Sequence, residues 1–191
     1  MALLAASFVG GVAVAGAAGA VSPAATGADP AAVAAVSQPT SEQAAIDAAA
    51  AAQAKADAAW HTPVATYVIS SYYAESRGDG PHMAIDLAGP EGQDVFAARS
   101  GTVVAAGWED GYGFTVTIDH GDGHTTKYGH MMSQPLVSAG QHVSGGQPIG
   151  YLGTTGDSTG PHLHLELKLN GASIDPSSLI PMVDSTMPAG S

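Results

Sequence analysis

From Pro63 to about Ile180 the chain is cut into short pieces by glycine, and this punctuation restricts its fold more than any other feature. Runs rich in β-branched and aromatic residues alternate with Gly-rich turns: "ATYVIS", "DVFAA", "GTVVAAGW", "GFTVTIDHG", "HTTKYGH", "PIGYLG" and "HLHLELKL". Asp110–Gly111 and Asp122–Gly123 are hairpin dipeptides. No long amphipathic pattern interrupts the series. Strands at this spacing predict an all-β domain, a compact antiparallel sheet or sandwich, and the segment is long enough to bury one core.

The last long run has the clearest pattern. In "GPHLHLELKL", Gly160 to Leu169, successive side chains of a strand point to opposite faces. Leu163, Leu165, Leu167 and Leu169 share one face, which is the buried one. His162, His164, Glu166 and Lys168 share the other. Two histidines at this spacing sit about 7 Å apart and reach one small volume. A solvated polar strip would show the same pattern. Against it, the Gly-rich loop "TTGDSTGPH" runs straight into the strand, and such junctions commonly carry sites. Glu166 reads either as a group orienting a neighbour or as a solvated surface carboxylate.

The other histidines carry less information singly. "HMAID" holds His82 and Asp86, four apart, but Gly78, Gly80 and Pro81 just upstream disfavour a helix. On a straight strand the pair would lie about 13 Å apart. That is too far to share a metal with bonds of about 2.1 Å. Sharing one requires a bend, and small Ala84 sits at the middle of the stretch. "KYGHMM" puts His130 at the end of a strand. His120 and His124 read as hairpin residues, His142 as an exposed turn residue and His61 as part of a junction.

The set says more than its members. The chain has no cysteine, so any metal must be held by His, Asp or Glu. A catalytic zinc site takes three such ligands and keeps one position open, and spare histidines beside it can move protons. An H-E-x-x-H helix motif is absent.

The N-terminal third has a different composition. Residues 1–28 carry no charged side chain and are rich in Ala, Gly and Val. Residues 1–20 read as an export signal ending at the small-residue site Ala18-Gly19-Ala20, although no Lys or Arg precedes the apolar run. A membrane anchor is the alternative; cleavage is favoured because Ala and Gly drive insertion weakly. Residues 21–39, rich in Ala, Pro, Ser and Thr, read as a disordered linker. Residues 40–60 predict an Ala-rich helix, with Thr40 and Gln43 forming a capping box. Its apolar side is nearly all alanine, so it is expected to act as a solvated spacer. Residues 61–181 form the β domain and 182–191 a disordered tail. The formal net charge of −12, with only 5 Lys and Arg, argues against nucleic-acid binding.

The blocks "HMAID", "VFAARSGTVVAAGWEDGYGFTVTIDHGDGHTTKYGHM", "VSAGQHVSGGQPIGYLGTTGDSTGPHLHLEL" and "NGASIDPSSLI" follow one another in an order that resembles the LytM/lysostaphin-type zinc metallopeptidases. The resemblance covers Gly80 to about Leu179. It implies a compact antiparallel β-sheet fold with a groove and a Zn2+ on the groove floor. Matched residue by residue, it makes His82, Asp86 and His164 the zinc ligands. It places His162 and His130 beside the metal-bound water as the catalytic pair. Two positions depart from the family's usual pattern: Ala84 replaces Gly and Leu165 replaces Phe. Ala84 would be strained if its position required positive φ.

The resemblance implies an exported zinc metalloendopeptidase that cuts peptide bonds of bacterial peptidoglycan, in cross-links or stem peptides. Its implied partner is a peptidoglycan peptide, its location the cell envelope or the exterior, and a monomer is expected. The alternative is a catalytically silent module of the same fold that binds wall or activates another hydrolase.

Overall fold

The computed structural model describes residues 40–78 and 80–183. The expected signal (1–20), the linker (21–39) and all but the first two residues of the tail (182–191) lie outside the described residues. Helix α1 spans Ser41–Ala58, capped as expected by the Thr40 side chain, which accepts from the Gln43 amide at 3.2 Å. It buries no residue, in keeping with its alanine surface. No helix among the described residues is long and apolar enough to cross a membrane.

Twelve strands follow among the described residues. They are β1 (Val68–Ser71), β2 (Ser76–Arg77), β3 (Gly80–Pro81), β4 (Ile85–Ala88), β5 (Asp94–Phe96), β6 (Gly101–Glu109), β7 (Gly113–Asp119), β8 (His124–Met131), β9 (His142–Val143), β10 (Pro148–Tyr151), β11 (His162–Leu169) and β12 (Ala172–Ile174). Eight of them form one antiparallel sheet ordered β1-β4-β11-β8-β7-β6-β9, with β12 also on β11. Strands β10 and β5 pair in a separate ribbon, as do β2 and β3. The all-β, antiparallel expectation therefore holds, with the Asp110–Gly111 and Asp122–Gly123 dipeptides at the β6–β7 and β7–β8 turns.

The core lies on one face of the large sheet. It gathers Ile85 and Leu87 from β4, Leu163 and Leu165 from β11, Val116 and Ile118 from β7 and Tyr128 from β8. Val95 and Ile149 of the β5–β10 ribbon close it. Leu163, Leu165 and Leu167 are fully buried, while Leu169 at the strand end is only partly so. Leu165, in place of the family's usual Phe, fits this core without exposure. A short 3-10 helix, Pro176–Ser178, follows β12 and places Ile180 in the same core.

Tyr128 is a large polar side chain fully inside this core. Its hydroxyl accepts from the Ala98 amide at 2.7 Å and from Thr126 Oγ1 at 3.0 Å. Burial pushes its pKa up to about 12. The hydroxyl thus ties the loop after β5 to the sheet. Tyr128→Phe keeps the ring and orphans the Ala98 N–H. The expected cost is about 1–3 kcal/mol, the desolvation penalty of an unpaired buried amide. Urea unfolding would measure it; an unchanged midpoint would show that the hydroxyl contributes nothing.

Candidate active site

Register brings the central residues together. Strands β4 and β11 are antiparallel neighbours, and His164 lies directly opposite Asp86. β4 begins only at Ile85, and the chain bends at Ala84, so His82 folds back toward Asp86 instead of running away from it. The bend that sharing a metal demands is therefore present. Ala84 is fully buried and does not adopt positive φ, so the expected strain from losing glycine there does not arise.

The result is a triangle of donor atoms. Asp86 Oδ1 lies 2.9 Å from His164 Nδ1 and 3.3 Å from His82 Nε2, and the two imidazole nitrogens are 3.4 Å apart. Ligands of a tetrahedral zinc with bonds of about 2.0–2.1 Å would be separated by about 3.3–3.4 Å. Three protein donors at nearly that spacing, two imidazoles and a carboxylate, fit one face of such a site and would leave a fourth position for water.

The outer ring atoms are held as well. His82 Nδ1 lies 3.2 Å from Ser71 Oγ and 3.4 Å from the Tyr72 carbonyl. Asp86 Oδ2 accepts from Arg77 at 2.6 Å, and the same Arg77 nitrogen reaches Ser71 Oγ at 2.7 Å. Burial pushes the Asp86 carboxyl up, but the hydrogen bonds from His164 and Arg77 outweigh it and lower its pKa to about 2. Burial lowers the pKa of His82, which favours the neutral imidazole a metal needs. Burial also presses His164 down, yet its hydrogen bonds to Asp86 and Glu166 raise it overall.

His162 and His130 face the triangle from the β11 start and the β8 end. His162 Nδ1 donates to the Gly160 carbonyl at 2.8 Å, and its Nε2 lies 3.9 Å from Asp86 Oδ1. His130 Nδ1 donates to the Thr155 carbonyl at 2.8 Å. The two rings are 4.7 Å apart between centroids, and His130 lies 5.6 Å from His164. His130 has a left-handed backbone, φ 58°, a conformation that costs a non-glycine residue free energy and survives only when its surroundings enforce it. Here its amide bonds the Tyr112 carbonyl at 2.8 Å while its ring is tied to Thr155. Thr155 is itself fixed by its hydroxyl to the Met131 carbonyl. Burial, reinforced by the neighbouring histidines, lowers the pKa of His130.

Four of the five expected site residues, Asp86, His130, His162 and His164, line a cavity of about 470 Å³ with Arg77, Tyr112 and Asp157, and His82 lines a smaller one that shares His164 and Tyr112. A larger cavity of about 590 Å³, near Thr62, Tyr67 and Val183, contains none of them. His120 bridges the Ser100 carbonyl and Thr126 Oγ1 and packs on Trp60, a structural role consistent with its hairpin reading. His142 is exposed. Glu166 departs from the solvated alternative: it is only 5% exposed, its Oε1 accepting from the Tyr112 hydroxyl at 2.7 Å. Arg77, Ser71, Tyr112 and Thr155 were not legible as site residues. They come from turns and short strands without periodicity, and only Glu166 carried a signal, its place on the histidine face.

Comparison with known proteins identifies the family. Residues 80–176 match the model of peptidase family M23. The chain is 42% identical over 98 residues to the DD-carboxypeptidase/endopeptidase Mpg of Neisseria meningitidis, covering 51% of this chain and 22% of that protein. It is 33% identical over 114 residues to the murein hydrolase activator EnvC of Escherichia coli, covering 60% of this chain and 27% of that protein. The chain therefore spans about a quarter of the length of these relatives. The catalytic domain of lysostaphin from Staphylococcus simulans superposes with a TM-score of 0.55 at 34% identity, over 59% of this chain and 90% of that one. With its sheet, its donor triangle and its order of motifs all accounted for, the chain belongs to peptidase family M23, the LytM/lysostaphin-type peptidases.

Proposed function

We propose that this protein is a zinc metalloendopeptidase that hydrolyses peptide bonds of bacterial peptidoglycan, in cross-links or stem peptides, outside the cytoplasmic membrane. The observation that carries the reading is the donor triangle with two imidazoles poised at its open side. His82, Asp86 and His164 would hold the ion through Nε2, Oδ1 and Nδ1. A zinc ion held there would supply Lewis acidity and lower the pKa of a water toward about 7.

The remaining chemistry belongs to the chain's own side chains. The Gly160 carbonyl occupies the Nδ1 proton of His162, so Nε2 carries the lone pair toward the groove and serves as general base. The Thr155 carbonyl does the same for His130, whose depressed pKa keeps the ring neutral at rest. With its centroid 4.7 Å from that of His162, His130 is placed to share the abstracted proton and pass it to the leaving amine. Arg77 holds Asp86 in the orientation that presents Oδ1 to the ion. Mpg, named a DD-carboxypeptidase/endopeptidase, supports hydrolysis of peptide bonds.

One relative favours a second reading. EnvC is named as a murein hydrolase activator, so a module that binds or activates without cutting remains the competing function. The presence here of all five histidine and aspartate positions weighs against it.

His164→Ala and Asp86→Ala are expected to lose both zinc and cleavage. His162→Ala is expected to retain zinc, checked by metal analysis, and to lose about 10²–10⁴-fold in turnover, the usual contribution of a general base. Normal cutting by His162→Ala would remove it from the mechanism. The deciding experiment incubates the zinc-loaded protein with purified sacculi of several wall chemistries and identifies released muropeptides by mass spectrometry. Fragments with new peptide termini that disappear with chelator are the expected outcome. Silence on every wall type, with zinc bound, would instead favour the activator reading.

A further inference from the structure

The mechanism above leaves one buried carboxylate unused. Glu166 follows His164 by two residues on the same face of β11 and is 5% exposed. Its Oε1 lies 3.5 Å from His164 Nε2 and accepts from the Tyr112 hydroxyl at 2.7 Å. Its Oε2 lies 2.9 Å from Lys168 Nζ but off the line of a hydrogen bond. The Tyr112 ring stands edge-on to the His164 ring with centroids 5.4 Å apart, and Lys127 Nζ lies over the Tyr112 ring, 3.9 Å from its centroid. Gly129, opposite His164 on β8, gives this packing its room: a Cβ there would come within 3.3 Å of His164 Cβ and 3.4 Å of the Tyr112 ring.

His164 is unlike His82 in one respect. Each of its ring nitrogens faces a carboxylate, Asp86 at Nδ1 and Glu166 at Nε2. Its single proton in the neutral form can sit on either. With the proton on Nδ1, it is spent on Asp86 and the lone pair points away from the triangle. With the proton on Nε2, Nδ1 is free to bind a metal. An ionised carboxylate is an acceptor only, so Glu166 beside Nε2 favours the second tautomer, and an outer carboxylate on a ligating imidazole also raises ligand basicity.

We infer that Glu166, oriented by Tyr112, is a positioning residue that selects the Nε2–H tautomer of His164 and so sets how tightly the triangle holds its metal. Glu166 does not line the 470 Å³ cavity and acts through His164; Tyr112 does line it, so the test reads metal affinity and not turnover. The inference rests on the metal-site reading given above.

The test uses the full chain and measures zinc affinity by competition with a chromophoric chelator, with no activity assay. Glu166→Gln is expected to weaken zinc binding about 10–100-fold, the range found for outer partners of metal-ligating histidines. Tyr112→Phe, which keeps the ring and removes only the hydroxyl, is expected to weaken it several-fold. In the double variant the two losses should not add, because the hydroxyl acts only through the carboxylate. Nitrogen-15 shifts of the His164 ring supply a readout that a merely structural role would not move. In zinc-loaded wild type they should report a protonated Nε2, and in chelator-treated Glu166→Gln a gain of the Nδ1–H form. Wild-type affinity in Glu166→Gln overturns the inference. If that variant does not fold, wild-type affinity in Tyr112→Phe overturns it instead. A wild-type chain that takes up no zinc defeats the metal-site reading itself, so the two failures are distinct.

Discussion

Everything at the site depends on the pairing of β4 with β11. Antiparallel register sets Asp86 opposite His164, and the two side chains share one face of the sheet because the period of a strand is two. A slip by one residue would turn both histidines of β11 into the core and the leucines out into the groove. The full burial of Leu163 and Leu165 beside Ile85 and Leu87 is therefore what holds the donor atoms in place. The core and the site are two faces of the same strands, and neither can be altered independently of the other.

A second constraint runs through the cluster. The histidines expected to work there have one ring nitrogen committed to a fixed neighbour. For His162 and His130 these are the Gly160 and Thr155 carbonyls, for His82 they are Ser71 and Tyr72, and for His164 there is Glu166. Backbone carbonyls are acceptors only, so they dictate which nitrogen carries the proton and which carries the lone pair. This is why the loop before β11 matters as much as the strand. It supplies the Gly160 and Thr155 carbonyls, and through Thr155 it is tied back to Met131 and to the β7 start. The left-handed backbone of His130 is bearable because that loop and the Tyr112 carbonyl hold it from two sides.

Arg77 shows how the other edge is organised. One of its nitrogens reaches both Asp86 and Ser71, and Ser71 in turn reaches His82. Two of the three donors are thereby oriented by a single short ribbon, β2–β3, that adds nothing to the core cluster. The ribbon's place in the fold is better explained by the site than by stability.

Much of this was legible in the amino-acid order. The turn punctuation announced antiparallel strands, alternation in "HLHLELKL" separated core from site, and the lack of cysteine confined any metal to His, Asp or Glu. Those signals are local: they depend on the backbone's period and on the chemistry of each residue type. Local order could not show that His82 bends back at Ala84, that Glu166 is buried under Tyr112, or that Arg77 grips Asp86. The contacts Arg77 to Asp86, Tyr112 to Glu166 and His82 to His164 join residues 9 to 82 positions apart, and they exist only once the sheet has set its register. The sequence by itself determined which groups were available and on which face of a strand they stood. The tertiary structure alone decided which nitrogen of each ring faces the groove, because that depends on acceptors brought in from distant loops.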